Sequence, residues 1–178
     1  NSKDRIISFI VMQNDINSIK QTELALNQLH QITSNINKTI DEKIQQLLIL
    51  GCQLYKLPLA IISEIKGHEY KVLYAQSPNN EINPGDLFDV DNTYCTHVLA
   101  SDTPIAFHHA GQSSIRNHPC YKGFGLESYI GVPLYVDDKR FGTLNFSGPE
   151  ISSKPFTERE LELIQLFANW LSMELMRI

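Results

Sequence analysis

Cysteine is scarce: the 178 residues contain three, at positions 52, 95 and 120. An odd number without Cys-x-x-Cys spacing excludes a disulfide framework and points to a reducing, cytoplasmic compartment. Long apolar runs are absent too. Stretches such as Leu47 to Leu50 and Leu57 to Ile62 fall far short of the ~20 residues that span a bilayer, so no membrane contact is expected. Positive charge is in deficit, with 15 Lys and Arg against 20 Asp and Glu and a formal charge of -5. With no local basic patch, this excludes a nucleic-acid-binding face. No GxSxG, P-loop or HExxH motif occurs, and no catalytic residue is assigned. An initiator methionine and a signal-peptide pattern are missing around Asn1 to Arg5, and the last residues carry no helix stop signal. The chain therefore reads as a piece of a longer protein.

What is present is a globular composition, 42% apolar and 20% charged, enough for one domain with a helical extension. The β-branched run Ile6-Ile7-Ser8-Phe9-Ile10-Val11-Met12 predicts a strand ending at Gln13-Asn14-Asp15, a remnant of a preceding domain or a strand that pairs with another copy. From Ser18, with Gln21 completing a capping box, a helical segment runs towards Leu57, free of Gly until Gly51 and of Pro until Pro58. Its apolar residues Ile19, Leu26, Leu29, Ile32 and Ile36, continued by Ile40, Ile44 and Leu47, form a narrow seam. Such a seam suits a second copy of the same helix; burial against the chain's own domain is the alternative. The poor helix formers Ser34 to Asn37 divide the segment into a linker helix and a domain helix starting near Thr39.

Beyond Pro58, residues 59–65 and 70–75 around Gly67 predict a hairpin, followed by a loop over 77–85 and a short strand at 87–90. Asp91-Asn92-Thr93 caps a short helix through Leu99, Pro104 to Phe107 is a strand, and a helical turn follows near 118–124. Residues 129–136 and 141–147 form the clearest hairpin, and Thr157 with Glu160 opens a final helix. That helix is apolar over more than one stripe. Part of it covers the sheet, and Leu171 and Leu175 join the seam as the expected homodimer interface. The element order predicts an α/β (α+β) fold, an antiparallel sheet backed by terminal helices.

The stretch Gly125-Leu126-Glu127-Ser128-Tyr129-Ile130-Gly131-Val132-Pro133-Leu134, followed by Phe141-Gly142-Thr143-Leu144-Asn145-Phe146, Pro155-Phe156-Thr157 and Glu160-Leu161-Glu162-Leu163-Ile164, resembles the second half of a GAF domain. The resemblance reaches back through Thr93-Tyr94-Cys95 and covers residues 38 to 176. The segment Asp15-Ile16-Asn17, followed by Gln21-Thr22-Glu23-Leu24-Ala25-Leu26, resembles the last strand of a PAS domain and its outgoing helix. The implied layout is a PAS-like tail over 1–17, a linker helix over 18–37 and a GAF domain over 38–178. Such an order implies a bacterial, cyanobacterial-like sensory protein, a two-component histidine kinase or a diguanylate cyclase, in which this chain is a non-catalytic input module between an upstream and an output domain.

The resemblance also implies a ligand pocket between the sheet and capping segments 91–103 and 107–127. Residues there that could line it are Tyr94, Cys95, His97, His109, His118, Cys120, Tyr121 and Tyr129. A bilin-binding relative needs Cys followed by His, whereas Tyr121 follows Cys120 here. The Asn-Lys-Phe-Asp-Glu set of cyclic-nucleotide binders is not found. Free methionine sulfoxide reductases gather several cysteines at the pocket, and Cys52 belongs to the first domain helix instead. Cys95, His97, His118 and Cys120 carry soft ligands that would suit zinc, the basis of an alternative metal- or redox-responsive reading. The Cys-x-His spacing opposes it, because residues i and i+2 of a helix point apart. No cofactor is named by these residues, and no metal ligand set is assigned.

Overall fold

The computed structural model describes residues 2–177. Two of the sequence expectations fail at the start of the chain. Residues 6–12 are not a strand, and Ser18 does not begin a helix: both lie inside one long helix, α1 (Ser2–Ser34). β-Branched residues disfavour helix only weakly, and no Gly or Pro interrupts the stretch. A lone strand, by contrast, would leave its backbone groups unpaired. Residues 2–17 of the stretch assigned to a PAS-like tail are thus the first turns of α1, and Asn1 lies outside the described residues.

The expected break occurs. α1 ends at Ser34, and α2 (Ile40–Tyr55) starts behind an N-cap at Thr39, whose hydroxyl accepts the Glu42 N–H at 3.2 Å while the Glu42 carboxylate accepts the Thr39 N–H at 2.7 Å. Lys56 closes α2 in the left-handed region (φ 55°), ahead of Pro58. The sheet comprises β1 (Leu59–Lys66), β2 (Glu69–Gln76), β3 (Leu87–Asp89), β4 (Ile105–Phe107), β5 (Ser128–Val136) and β6 (Lys139–Gly148). Its order is β3-β2-β1-β6-β5-β4, antiparallel throughout. Asp137 and Asp138, both at positive φ, make the two-residue β5–β6 turn. Short helices α3 (Cys95–Leu99) and α4 (Pro119–Phe124) interrupt the irregular segments, and α5 (Glu158–Leu175) opens on the Thr157–Glu160 capping box.

Period-two alternation splits the interior into two cores, one on each face of the sheet. Ile62, Ile130, Val132, Leu134, Leu144 and Phe146 face α1, α2 and α5. Ile61, Tyr70, Val72 and Tyr129 face α3, α4 and the loops around them. This is the arrangement of terminal helices and capping segments that was expected. The seam, however, is partly consumed by the chain's own body. Leu29 (7% exposed) and Leu171 (0%) lie in the helix-side core, and Ile32 and Leu175 pack on it, so they are not a free dimer face. Ile36 sits in the α1–α2 turn, Ile19 is half-buried, and Leu26 remains exposed. The physical reason is that α2 and α5 offer α1 a ready apolar partner within the same chain. Among the described residues no helix is long and apolar enough to cross a membrane.

Candidate functional site

The sheet face opposite the helices carries an unusual run on its central strand. In β6, Thr143, Asn145 and Ser147 alternate with Leu144 and Phe146, so the apolar pair points to the helices and the three polar residues to the capping side. All three are buried, which obliges their polar atoms to find partners. Thr143 and Asn145 find them in a network centred on the Cys95 thiol. Thr143 Oγ1 donates to Cys95 Sγ at 3.3 Å, Asn145 Nδ2 lies 3.6 Å from the same sulfur, and the Tyr129 hydroxyl lies 3.4 Å from it. Asn145 Nδ2 also donates to the Tyr70 hydroxyl at 3.2 Å, and Ser63 Oγ is 2.9 Å from Thr143 Oγ1.

Above this network lies a cavity of about 70 Å³, walled by Tyr70, Asn145 and Ser147 from the sheet and Tyr94, Cys95 and Cys120 from the cap, with Phe124 and Leu126 closing it. Ordinary small-molecule pockets have roughly 300 Å³ or more, and even benzene occupies an engineered cavity of ~150 Å³. Anything larger than a few atoms must therefore displace side chains. The exposed rim residue Phe124 (51%), packed edge-on against Phe88 at 6.3 Å, is the cheapest to move.

Of the residues singled out from sequence, Tyr94, Cys95, Cys120 and Tyr129 line the cavity. His97, His109, His118 and Tyr121 do not; they hold the cap together from behind. His118 Nδ1 accepts the Cys120 N–H at 3.1 Å, an N-cap for α4. A ring nitrogen that accepts is unprotonated, so in neutral His118 Nε2 carries the proton and faces Thr96 Oγ1 at 3.4 Å, linking α4 to α3. Burial, with the adjacent His97, pushes the His118 pKa down and keeps it neutral. The His97 ring lies 5.1 Å from that of His118, and its buried Nε2 has no partner among the described residues. Glu127 accepts from the Gly111 N–H at 3.0 Å and the Tyr121 hydroxyl at 2.8 Å, with His109 4.0 Å away. Although burial opposes its charge, these donors hold the carboxyl below its usual range. Arg140 ties the C-terminus of α3 to the β5–β6 hairpin through the Leu99 carbonyl and Asp102.

Tyr70, Asn145 and Ser147 escaped the sequence reading; for Asn145 and Ser147 the signal was there, because a polar residue at every second position of a strand whose other positions are Leu and Phe has to face a partly polar interior. Burial disfavours the thiolate form of all three cysteines. Burial pushes Cys95 up, Cys120 up to about 12 and Cys52 up to about 11. Nor do Cys95, His97, His118 and Cys120 converge as ligands. Among the described residues the only group of three close enough for one ion is His68, Asp89 and Asp91, all exposed on the far edge and already joined by a 2.8 Å His68–Asp91 contact.

A family model described as "GAF domain" matches residues 39–175. No curated protein matches the chain in sequence. Among solved structures, the GAF domain of a phosphoenolpyruvate-protein phosphotransferase from Coxiella burnetii is similar with a TM-score of 0.69 and 18% identity, over 86% of this chain and 94% of that one. Free methionine-R-sulfoxide reductase from Neisseria meningitidis, in complex with its substrate, is similar with a TM-score of 0.67 and 15% identity, over 88% and 92%. A phycocyanobilin-bound domain of a cyanobacterial phytochrome follows with a TM-score of 0.62 and 13% identity, over 90% and 94%.

Proposed function

Because the chain belongs to the GAF domain family, whose members are regulatory and sensory small-molecule-binding modules, we propose that it is a non-catalytic input module. In this reading two copies join through their helices and convert a change in the cavity into a change in helix packing. The observation that carries the reading is the alternation on β6. Asn145 and Ser147 touch the cavity, while their neighbours Leu144 and Phe146 touch the helix-side core, so strain on one face of the strand is felt on the other. A long entering helix suits such a relay, and residues 3–17 of α1 are all exposed. A ligand acts only through its differential affinity for two packings of those helices. The host is a two-component sensor with a kinase output, or a diguanylate cyclase, located in the cytoplasm.

The competing class is a redox or metal-responsive domain, and the thiols discriminate. At pH 8 a thiol with a pKa of about 12 is ionised in roughly one molecule in ten thousand, so Cys120 reacts far more slowly than a free thiol. The folded chain should therefore leave Cys95 and Cys120 untouched by Ellman's reagent over an hour, with all three cysteines titrating in denaturant. It should also fail to consume free methionine-(R)-sulfoxide with dithiothreitol as reductant. Rapid labelling of Cys95 or Cys120 together with turnover would place the chain among the redox enzymes instead.

A further inference from the structure

The buried serines of the sheet differ in one respect. Ser63 Oγ lies 2.9 Å from Thr143 Oγ1, and Ser128 Oγ donates to the Glu150 carbonyl at 2.7 Å. The Ser147 hydroxyl, on a residue only 1% exposed, has no partner among the described residues. The register explains why. Ser147 stands between Leu59 of β1 and Tyr129 of β5, with Asn145 next along the same face. Leu59 offers nothing to bond, the Tyr129 hydroxyl is engaged with Cys95, and Asn145 Nδ2 is engaged with Tyr70 and Cys95. A buried hydroxyl left unpaired is costly, and an apolar residue at this position would avoid that cost. Because Ser147 lines the cavity under the cap, the partner its hydroxyl can reach is a molecule held there.

The rest of the wall narrows the chemistry of that molecule. No lining residue is acidic or basic, and burial keeps the thiols of Cys95 and Cys120 protonated. A carboxylate, phosphate or ammonium group would be desolvated there with no opposite charge to meet. Five rings, those of Tyr70, Phe88, Tyr94, Phe124 and Tyr129, surround the space. They meet edge-on, Tyr70 with Phe88 at 6.1 Å, Phe88 with Phe124 at 6.3 Å and Tyr94 with Tyr129 at 5.3 Å, and a further flat ring extends such packing favourably. A space of about 70 Å³, enlarged by movement of Phe124, gives room for one ring.

We propose that the cavity takes a small, flat, uncharged molecule, a single aromatic ring bearing one hydrogen-bonding group such as a hydroxyl, and that Ser147 Oγ bonds that group and selects it. This rests on the input-module reading above and names the class of its ligand. Amide resonances of the isotope-labelled full chain, titrated with phenol, benzoate and toluene, test it. Phenol should shift Ser147, Cys95 and Phe124 at millimolar concentration, and benzoate should leave them in place. Ser147→Ala should weaken phenol by roughly fivefold, the loss of one hydrogen bond, and leave the affinity for toluene unchanged. Its thermal midpoint should be no lower than that of the parent, because the hydroxyl holds nothing within the chain. Absence of phenol shifts, binding of benzoate as tight as that of phenol, equal phenol affinity in parent and Ser147→Ala, or a destabilised Ser147→Ala would each overturn the proposal. The relay survives such a failure if filling the cavity with Ser147→Leu, in the absence of any ligand, still moves the helices.

Discussion

Gly142→Val should abolish the cooperative fold or weaken it severely. Gly142 lies in β6 between Glu64 of β1 and Leu134 of β5, in the middle of the sheet. A Cβ placed there would overlap the Ser63 carbonyl oxygen and press on the Glu64 Cα, both backbone atoms. The crowding has a local origin. The register of β1 against β2 shifts between Ile62 and Ser63, beside the point of close approach. No rotamer change relieves a backbone clash, so β1 and β6 would have to separate where both cores depend on them. The cost, more than ~4 kcal/mol, is a large share of the ~5–15 kcal/mol that holds a domain together. Thermal unfolding followed by circular dichroism should show no transition, or one lowered by at least ~10 °C. A midpoint within a few degrees of the parent would mean that the strand tolerates a side chain there and that the close approach is not real.

Phe146→Ala should cost ~3–5 kcal/mol, the usual range for a fully buried phenylalanine. Its ring is 0% exposed and occupies the joint between sheet and helices. On one side a Cβ at Gly51 of α2 would overlap the ring, so α2 approaches β6 as closely as it does only because position 51 is glycine. On another side the Tyr55 ring packs against it at 5.1 Å, and the Tyr55 hydroxyl donates to the Glu160 carbonyl of α5 at 3.0 Å. One side chain thus ties β6 to two helices. The pairing with Gly51 makes the loss non-additive. Gly51→Ala, destabilising on its own, should recover part of the stability when placed in Phe146→Ala, because its methyl enters the space the ring has left. Strict additivity of the two substitutions in urea unfolding would argue that α2 does not rest on Phe146.

Much of this architecture is written locally. Capping boxes at Thr39 and Thr157 announce α2 and α5, and Asp137-Asp138 between alternating runs announces the β5–β6 hairpin. The antiparallel sheet with helices on one face follows from the order of such signals. What local reading misjudged depends on length and partners. The run at residues 6–12 has strand-forming residues but no strand to pair with, and helix continuity prevails. Periodicity in α1 marks an apolar stripe without saying whose core it fills. Leu29 and Leu171 turn out to fill their own, because α2 folds back beside α1. At the site, proximity in sequence drew attention to the histidines, which brace the cap from behind. Tyr70, Asn145 and Ser147 come from distant strands, and only the register of the sheet brings them beside Cys95 and Tyr129.

Transmission from the cavity to the helices can be measured across the proposed dimer. Spin labels at Gln13→Cys, on the exposed part of α1, report the separation of the two copies by pulsed electron paramagnetic resonance. The native thiols are buried or half-buried and, with their raised pKa values, leave that label specific. Ser147→Leu supplies the perturbation, since position 147 lines the cavity and a leucine there fills it and strains β6. A distance distribution that moves or splits by ~1–2 Å or more, the scale of helix shifts in bistable interfaces, is the expected result. Superimposable distributions from two folded, dimeric proteins would contradict it, leaving the cavity and the helices as independent parts of one domain.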